Sequence, residues 1–325
     1  MNKATVRSHY LPITYLKHFL LENRLKMYKK GEKFFKRGLP ADRIINVIGE
    51  EGLKNVGLEN NLYQIAVDGF SSDDIEEIFI EYGEKYYNDI IAEIETLNSN
   101  QKISQSIKDK LCLFMAAMKV RTPQFKRESD EMSSTFQKHR MTIKMQNTSP
   151  EELQEQYKEI SGGEEATVEE MEKLRQTFIK KEYDLKYPNA HFLRFALSTL
   201  EMYADVFHSM NMVILKSRSD RYFITSDNPV VHFVPKDKVD FYNNYKSLMS
   251  HHTEVFFTLS KNLAVFLTRK DFKEVLQDAD REITDTINYN ISVNSFDFIF
   301  SPLEMNSLNA FSEKYIPYPF KFRIS

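Results

Sequence analysis

The chain has 325 residues, of which 42% are hydrophobic and 13% aromatic, so it can bury a substantial core. Its 44 basic and 47 acidic side chains leave a formal charge of −3, which creates no overall field that would attract nucleic acid or anionic lipid. A local basic patch is still compatible with this balance. The composition therefore excludes wholesale disorder and indicates no class of partner.

Cysteine content and hydropathy restrict the cellular setting. The single cysteine, Cys112, cannot form an intramolecular disulfide and lies in the apolar run CLFMAAM, where we expect it to pack as a small hydrophobe. A cysteine-based zinc site is therefore not expected. The N-terminal stretch MNKATVRSHYLP lacks the apolar core of a signal peptide, and no apolar run reaches the roughly 18 residues of a membrane span. We expect a cytosolic protein.

Helical patterns dominate the first two thirds of the chain. The first 70 residues are mixed, with a short helix-like segment from Tyr15 to Leu21 followed by the strand-like run RLKMYKKG. Apolar residues at steps of three and four then predict helices over residues 71–97 and 103–118, and again from Pro188 to Phe207. The apolar stripes are wide enough to be core faces.

The segment from about residue 126 to 187 is the most polar part of the chain. Helix-start signals occur at Ser149-Pro150-Glu151-Glu152 and again from Thr167 to Glu170, on either side of Gly162-Gly163. We interpret this segment as exposed helices with solvated faces, since charge runs of this kind are more often solvated than bound to a partner. The sequence thus predicts one domain over residues 1–325, with a polar helical insertion at about 126–187.

From Met210 onward the hydrophobic period changes to two or to short apolar runs. The runs NMVILKS, RYFIT, PVVHFV, EVFFTLS, LAVFLT and DFIFS predict a sheet, which a helix between Asp278 and Ser292 interrupts. Short loops favour antiparallel hairpins. The predicted fold is therefore α+β, with a helical N-terminal two thirds packed on a mainly antiparallel C-terminal sheet. Neither a dinucleotide-binding glycine motif, a P-loop, H-E-x-x-H nor a nucleophile elbow is present, which weakens the corresponding functions.

Four segments place polar or rigid residues in apolar surroundings. His9 precedes a helix that begins at a proline, where it can transfer a proton, bind a ligand or hydrogen-bond its neighbours. Arg121 lies at the C-terminal end of an apolar helix, where its positive charge interacts favourably with the helix dipole. If it is buried, it needs an anionic partner. Asp227 and Asn228 interrupt a strand, as an Asx-turn or as part of a ligand-binding loop. In the fourth segment, ITDTINYNISVN, polar side chains on one helix face are expected to hydrogen-bond nearby loops.

The same segments carry a family resemblance. The motifs H-Y-x-P-x-x-Y-L-x-x-F, R-T-P and F-I-T-S-D-N-P-V, then Leu259-Ser260 and Asn288, resemble in their order an uncharacterised bacterial family, domain-of-unknown-function family 4238. The resemblance covers about His9 to Ser301. The chain departs from the family at Thr258, where the family tends to have proline, and in the longer polar stretch at about 126–187. Since the family has no established activity, the resemblance supports these positions and assigns no chemistry.

Three functions fit these residues. As an enzyme, His9, Arg121, Asp227 and Asn228 would form one catalytic polar cluster. His9 would be the general acid or base, Arg121 would stabilise an anionic group, and Asp227 would orient the substrate or bind a metal. This set best suits a hydrolase of a phosphoester or nucleic acid, although no metal-nuclease spacing follows Asp227. The alternatives are non-catalytic binding of a small anionic ligand or nucleotide, and an architectural role with a protein-interaction surface on the polar helices.

Spatial proximity separates these alternatives. Convergence of the four segments would favour an enzyme or a binding site, whereas their separation would favour architecture. We rank a ligand-binding or catalytic role for the cluster above a purely architectural role, because polar groups with perturbed pKa values gather at functional sites. We further expect Asp227 to face a polar pocket shared with His9 and Arg121, and to pair with Arg121. The sequence identifies no cofactor.

Overall fold

Helices and strands are both found along the part of the chain that the computed structural model describes, which comprises residues 7–29, 44–64, 72–218, 221–239, 248–305 and 308. The strands are β1 (Arg7–His9), β2 (Arg24–Lys29), β3 (Ile44–Ile48), β4 (Leu58–Asn60), β5 (Asn211–Ser217), β6 (Thr225–Ser226), β7 (Val230–Phe233), β8 (Glu254–Thr258), β9 (Leu263–Thr268), β10 (Leu276–Ala279) and β11 (Phe298–Ser301). The helices are α1 (Ile13–Leu16), α2 (Gly49–Leu53), α3 (Ser72–Glu81), α4 (Tyr87–Glu95), α5 (Gln105–Val120), α6 (Pro123–Gln146), α7 (Pro150–Ile160), α8 (Val168–Ile179), α9 (Asn189–His208) and α10 (Arg281–Asn294). The end of the predicted strand RLKMYKKG, Lys30 and Gly31, lies outside the described residues.

The described strands form three sheets. β1 pairs with β4 in an antiparallel ribbon. A five-stranded sheet has the order β10-β5-β9-β8-β7 and is antiparallel except for the parallel pair β10 and β5. A four-stranded antiparallel sheet has the order β3-β2-β11-β6.

The predicted fold, a helical N-terminal two thirds packed on a mainly antiparallel C-terminal sheet, is wrong. The four-stranded sheet joins both ends of the chain, because β2 and β3 precede all the long helices, and β2 pairs with β11, which in turn pairs with β6. Tyr28, for example, lies opposite Ile299. The chain is a mixed α+β protein whose N-terminal part supplies strands as well as helices. Periodicity is a local property and carries no information about which distant strands pair.

Alternation along the central strands explains the core layers. In β5, Met212 and Ile214 belong to the cluster that α5 and α9 cover, whereas Val213 and Leu215 belong to a second cluster that includes Ile287 of α10. Successive side chains of a strand point to opposite faces, so the five-stranded sheet has helices on both sides. The predicted helices over 103–118 and 188–207 correspond to α5 and α9.

The polar segment forms its own small cluster. The second half of α6 packs with α7 and α8 around Met145, Leu153 and Met171. Both predicted capping boxes are confirmed: the Ser149 and Thr167 hydroxyls accept hydrogen bonds from the amides of Glu152 and Glu170, whose carboxylates bond back to the cap amides. That the segment is an insertion stays a prediction. None of the helices in the described ranges is long and apolar enough to cross a membrane.

Candidate functional site

Asp227 anchors the backbone that leads into β11. Its Oδ1 accepts a hydrogen bond from the Phe296 amide at 2.7 Å, and its Oδ2 accepts from the Asp297 and Phe298 amides at 2.5 and 2.9 Å. Burial raises the pKa of Asp227 to about 6, against the three amides, which lower it. The carboxylate therefore bonds to a distant segment rather than closing an Asx-turn over Asn228.

Asn228 also holds the end of α10. Its Nδ2 donates to the Asn294 carbonyl at 2.9 Å, and its own amide donates to the Ser226 hydroxyl at 3.2 Å. The Asn228 Oδ1 is buried and has no hydrogen-bond partner among the described residues. Like Asp227, Asn228 ties the turn after β6 to the strand and helix beside it.

Arg121 has a different partner from the one expected. Its Nη1 forms an ion pair with Glu84, and its Nη2 donates to the backbone carbonyl of His9 at 2.7 Å. The Tyr63 hydroxyl donates to the Arg121 carbonyl at 2.9 Å. The predicted pairing of Arg121 with Asp227 is wrong, because Glu84 supplies the carboxylate. Arg121 instead joins the segment before α4 to the strand that ends at His9.

The His9 ring is half-buried at the end of β1. Its Nε2 lies 3.3 Å from the Lys54 carbonyl, and burial lowers the pKa of the imidazole. The structure thus brings His9 and Arg121 into contact through the His9 carbonyl rather than through the imidazole.

A small cavity lies where three of the motif segments meet. It has a volume of about 60 Å³ and is lined by Tyr10, Leu58, Glu59, Pro123, Gln124, Asp227, Phe296, Asp297 and Phe298. We call it the Tyr10 cavity. Asp227 faces it as predicted, whereas His9 and Arg121 are not among its described lining residues; each is instead followed by residues that line it.

Two polar groups beside the Tyr10 cavity have no hydrogen bond to a described residue. Tyr10 is only 4% exposed, and no described residue forms a hydrogen bond with its hydroxyl. Burial raises the pKa of Tyr10 well above its usual value, and the charge of Asp227 raises it further. The Gln124 Oε1 is also buried without a partner, while its Nε2 donates to Glu128 at 3.0 Å. Buried polar groups normally have partners, so the Gln124 Oε1 points to a missing occupant.

Carboxylates surround this cavity. Besides Asp227, Glu59 on β4 and Asp297 line it. Burial raises the pKa of Glu59, and the nearby charges of Arg127 and Lys126 lower it. Within the described ranges, no group of three or more His, Cys, Asp or Glu side chains could hold a metal ion.

Gly57 positions Tyr10. Its carbonyl accepts hydrogen bonds from the amides of Tyr10 and Leu11 at 2.9 and 3.0 Å. Its φ is +64°, and an added Cβ would lie 2.7 Å from the Leu11 Cβ. Gly57→Ala is expected to lower the free energy of unfolding by about 2 kcal/mol, from the left-handed backbone and the clash. Urea unfolding measures this, with Gly162→Ala, where φ is +76° and no atom lies within 4 Å of the added Cβ, as the control for backbone strain without a clash. Equal losses in the two variants would contradict the close approach at Gly57.

Other motif residues secure the strand that carries Asp227. The Tyr15 hydroxyl lies 2.5 Å from the Thr225 Oγ1 and donates to the Thr258 carbonyl at 2.8 Å. Asn288 accepts from the Ile224 amide at 3.0 Å and donates to the Tyr222 carbonyl at 2.9 Å. The prediction that the polar face of this helix bonds nearby loops is confirmed for Asn288.

Sequence reasoning missed four polar residues of the cavity, Tyr10, Glu59, Gln124 and Asp297. Tyr10 adjoins His9 within the first motif, and Gln124 directly follows R-T-P, so the motifs contained a signal for both. Glu59 and Asp297 lie in unremarkable segments with no such signal.

These features define a mixed α+β protein in which the motif segments close a small acidic cavity. The chain belongs to the family described as Protein of unknown function (DUF4238), whose model matches residues 7–303. The match includes every residue of the site, and it confirms the resemblance seen in the sequence. No curated protein and no solved structure matches the chain.

Proposed function

We propose that the Tyr10 cavity binds a primary ammonium group and that the protein is a binding module rather than a catalyst. The Tyr10 hydroxyl carries this proposal, because no described residue forms a hydrogen bond with it and Tyr10 lines a cavity that three carboxylates also line. The buried Gln124 Oε1, which lacks a partner among the described residues, costs about 1–3 kcal/mol, which a bound ligand recovers.

Size and hydrogen-bonding capacity suit an ammonium group. The cavity of about 60 Å³ has room for a group of methylammonium size, since one water molecule takes about 30 Å³ in the liquid. An ammonium has three donors and no acceptor. Tyr10, Gln124 and the Glu59 carboxylate supply matching acceptors, and the negative charge compensates the cation.

The phosphoester or nucleic-acid substrate has less support. An anion would meet the carboxylates of Asp227, Glu59 and Asp297, and Arg121 is already neutralised by Glu84. An isolated anion beside buried carboxylates is strongly unfavourable. The same charges disfavour the small anionic ligand expected from the sequence.

A hydrolase is the second candidate because of Asp227. Its pKa of about 6 suits proton transfer near neutral pH. Cleavage of a chromogenic phosphodiester that Asp227→Asn abolishes, with Asp285→Asn unaffected, would support this alternative. The three amides that already bind the Asp227 carboxylate leave it few free lone pairs for catalysis.

Methylammonium binding to the Tyr10→Phe variant tests the proposal. We expect the wild-type protein to bind methylammonium with a Kd of about 1 mM, as measured by ligand-observed NMR at constant ionic strength. Loss of the hydrogen bond from the ammonium to the Tyr10 hydroxyl should weaken binding by roughly tenfold. Tyr86→Phe is the matched control, because Tyr86 is exposed on the surface and should bind like wild type.

Stability distinguishes lost binding from misfolding. Since no described residue forms a hydrogen bond with the Tyr10 hydroxyl, Tyr10→Phe should unfold at the same urea concentration as wild type or higher. Failure of the wild-type protein to bind methylammonium, or equal binding by a folded Tyr10→Phe variant, would refute the proposed function.

A further inference from the structure

A second, larger cavity lies between α10 and the five-stranded sheet. It has a volume of about 340 Å³, at the small end of the roughly 300–1,000 Å³ of ligand pockets. Its lining shares no residue with the Tyr10 cavity. We call it the α10 groove, lined by Val213, Leu215, Glu254, Phe256, Phe266, Phe272, Gln277, Asp280, Glu282, Ile283, Thr286 and Ile287.

Sheet register gives the groove an aromatic floor. Val213, Phe266 and Phe256 lie directly opposite one another on three adjacent strands and therefore share one face. The Phe256 and Phe266 rings stack with centroids 5.3 Å apart. Phe272, from the segment after β9, lies edge-on to Phe266 at 6.5 Å and is 45% exposed. Since α10 covers only part of this face, three phenyl rings remain beside an open cavity.

The rim of the groove is acidic. The rim contains the acidic residues Glu254, Asp280 and Glu282. No basic side chain is found among the described lining residues. Lys270 pairs with Glu254 at 2.7 Å, and one oxygen of Asp280 accepts from the Ile283 amide at 2.9 Å. After these bonds are counted, the rim keeps a net negative charge beside the aromatic floor.

We infer that the α10 groove binds a small organic cation, a planar ring that carries an ammonium group on a short chain. The ring packs against Phe256, Phe266 and Phe272, and the ammonium lies at the rim near Glu282 and Asp280. Phenyl rings attract cations through their faces, and the attraction adds to that of the carboxylates. Charge complementarity excludes carboxylate-bearing amphiphiles of the same size. This inference is independent of the function proposed for the Tyr10 cavity.

Tryptamine is a direct probe, because the chain contains no tryptophan. Indole fluorescence can therefore be excited selectively, and transfer of the ring from water into the groove should shift its emission to shorter wavelength. We expect tryptamine to bind the full chain more tightly than neutral 3-ethylindole by roughly two- to fivefold, the effect of a partly exposed charge pair. Indole-3-propionate, with the opposite charge, should bind more weakly than both.

Two variants of exposed residues locate the site. Phe272→Ala should weaken tryptamine binding by roughly tenfold through the lost ring contacts. Glu282→Gln should weaken tryptamine by roughly two- to fivefold and leave 3-ethylindole unchanged. Asp285→Asn is the matched control on the same helix, because Asp285 lies outside the groove lining and should bind like wild type.

Four outcomes would overturn the inference. The first is no spectral shift with the wild-type protein, and the second is equal binding of tryptamine and indole-3-propionate. The third is tryptamine binding that Tyr10→Phe abolishes and Phe272→Ala preserves, which would place the probe in the Tyr10 cavity. The fourth is a wild-type dimer in sedimentation that Phe272→Ala dissociates, which would show that a second copy of the chain covers the groove.

Discussion

Replacement of Arg121 by methionine is expected to lower the free energy of unfolding by about 3–5 kcal/mol. Arg121 is only 3% exposed, and its guanidinium binds both Glu84 and the His9 carbonyl. Removal of the cation leaves the mostly buried Glu84 carboxylate without its partner, and this uncompensated charge accounts for most of the loss. Arg194→Met, at an exposed position of α9, should change stability by less than about 0.5 kcal/mol.

A double-mutant cycle separates the ion pair from the packing of Arg121. Glu84→Gln alone should also be destabilising, and the double variant should lose less than the sum of the two single losses. Urea unfolding at neutral pH gives all four free energies. Additive losses, or a loss below about 1 kcal/mol for Arg121→Met, would contradict a buried pair that joins β1 to the segment before α4.

The stability difference between wild type and Asp227→Asn is expected to depend on pH. Burial raises the folded pKa of Asp227 to about 6 from an ordinary 3.8, so the folded state holds the proton more tightly than the unfolded state. The stabilisation that this proton gives is fully present below the ordinary pKa and is lost as the pH rises through about 6. The Asp227→Asn variant has no proton to lose at this position.

The free energy of unfolding of wild type should therefore fall by about 3 kcal/mol relative to Asp227→Asn between roughly pH 4 and pH 7. The substituted asparagine would also turn its amino group toward backbone N–H donors, a cost that is independent of pH. Urea unfolding across this range measures the difference, with Asp285→Asn on the surface as a control whose difference stays flat. A difference that stays constant, or that changes in favour of wild type as the pH rises, would contradict a desolvated Asp227.

Local patterns predicted the helices better than the sheets. The stripe of α5 and the capping boxes of α7 and α8 involve residues a few positions apart, and such patterns are visible in the sequence. The four-stranded sheet depends on pairs such as Tyr28 and Ile299, which are separated by most of the chain. Long-range pairing of this kind follows from tertiary packing and has no periodicity to reveal it.

The candidate site was predictable to a similar extent. The motifs identified the segments of His9, Arg121 and Asp227, which do come together. They did not identify Glu84 as the partner of Arg121, because a carboxylate among 47 acidic residues has no local feature that marks it as buried. The tertiary fold, rather than a local pattern, places Glu84 next to Arg121. The cavity is lined by the neighbouring Tyr10 rather than by the His9 ring.

The backbone amides of Phe296, Asp297 and Phe298 provide the most direct test of the Tyr10 cavity, because all three donate to Asp227 at its wall. A titration with methylammonium, followed by the amide chemical shifts in nitrogen-15 NMR at constant ionic strength, should move these three signals with one common Kd. The Glu152 amide, which donates to the Ser149 hydroxyl at the start of α7, lies in neither cavity and should not move. We predict that Tyr10→Phe suppresses the three shifts, whereas signals that stay fixed in the wild-type protein, or that move equally in Tyr10→Phe, would contradict an ammonium site in this cavity.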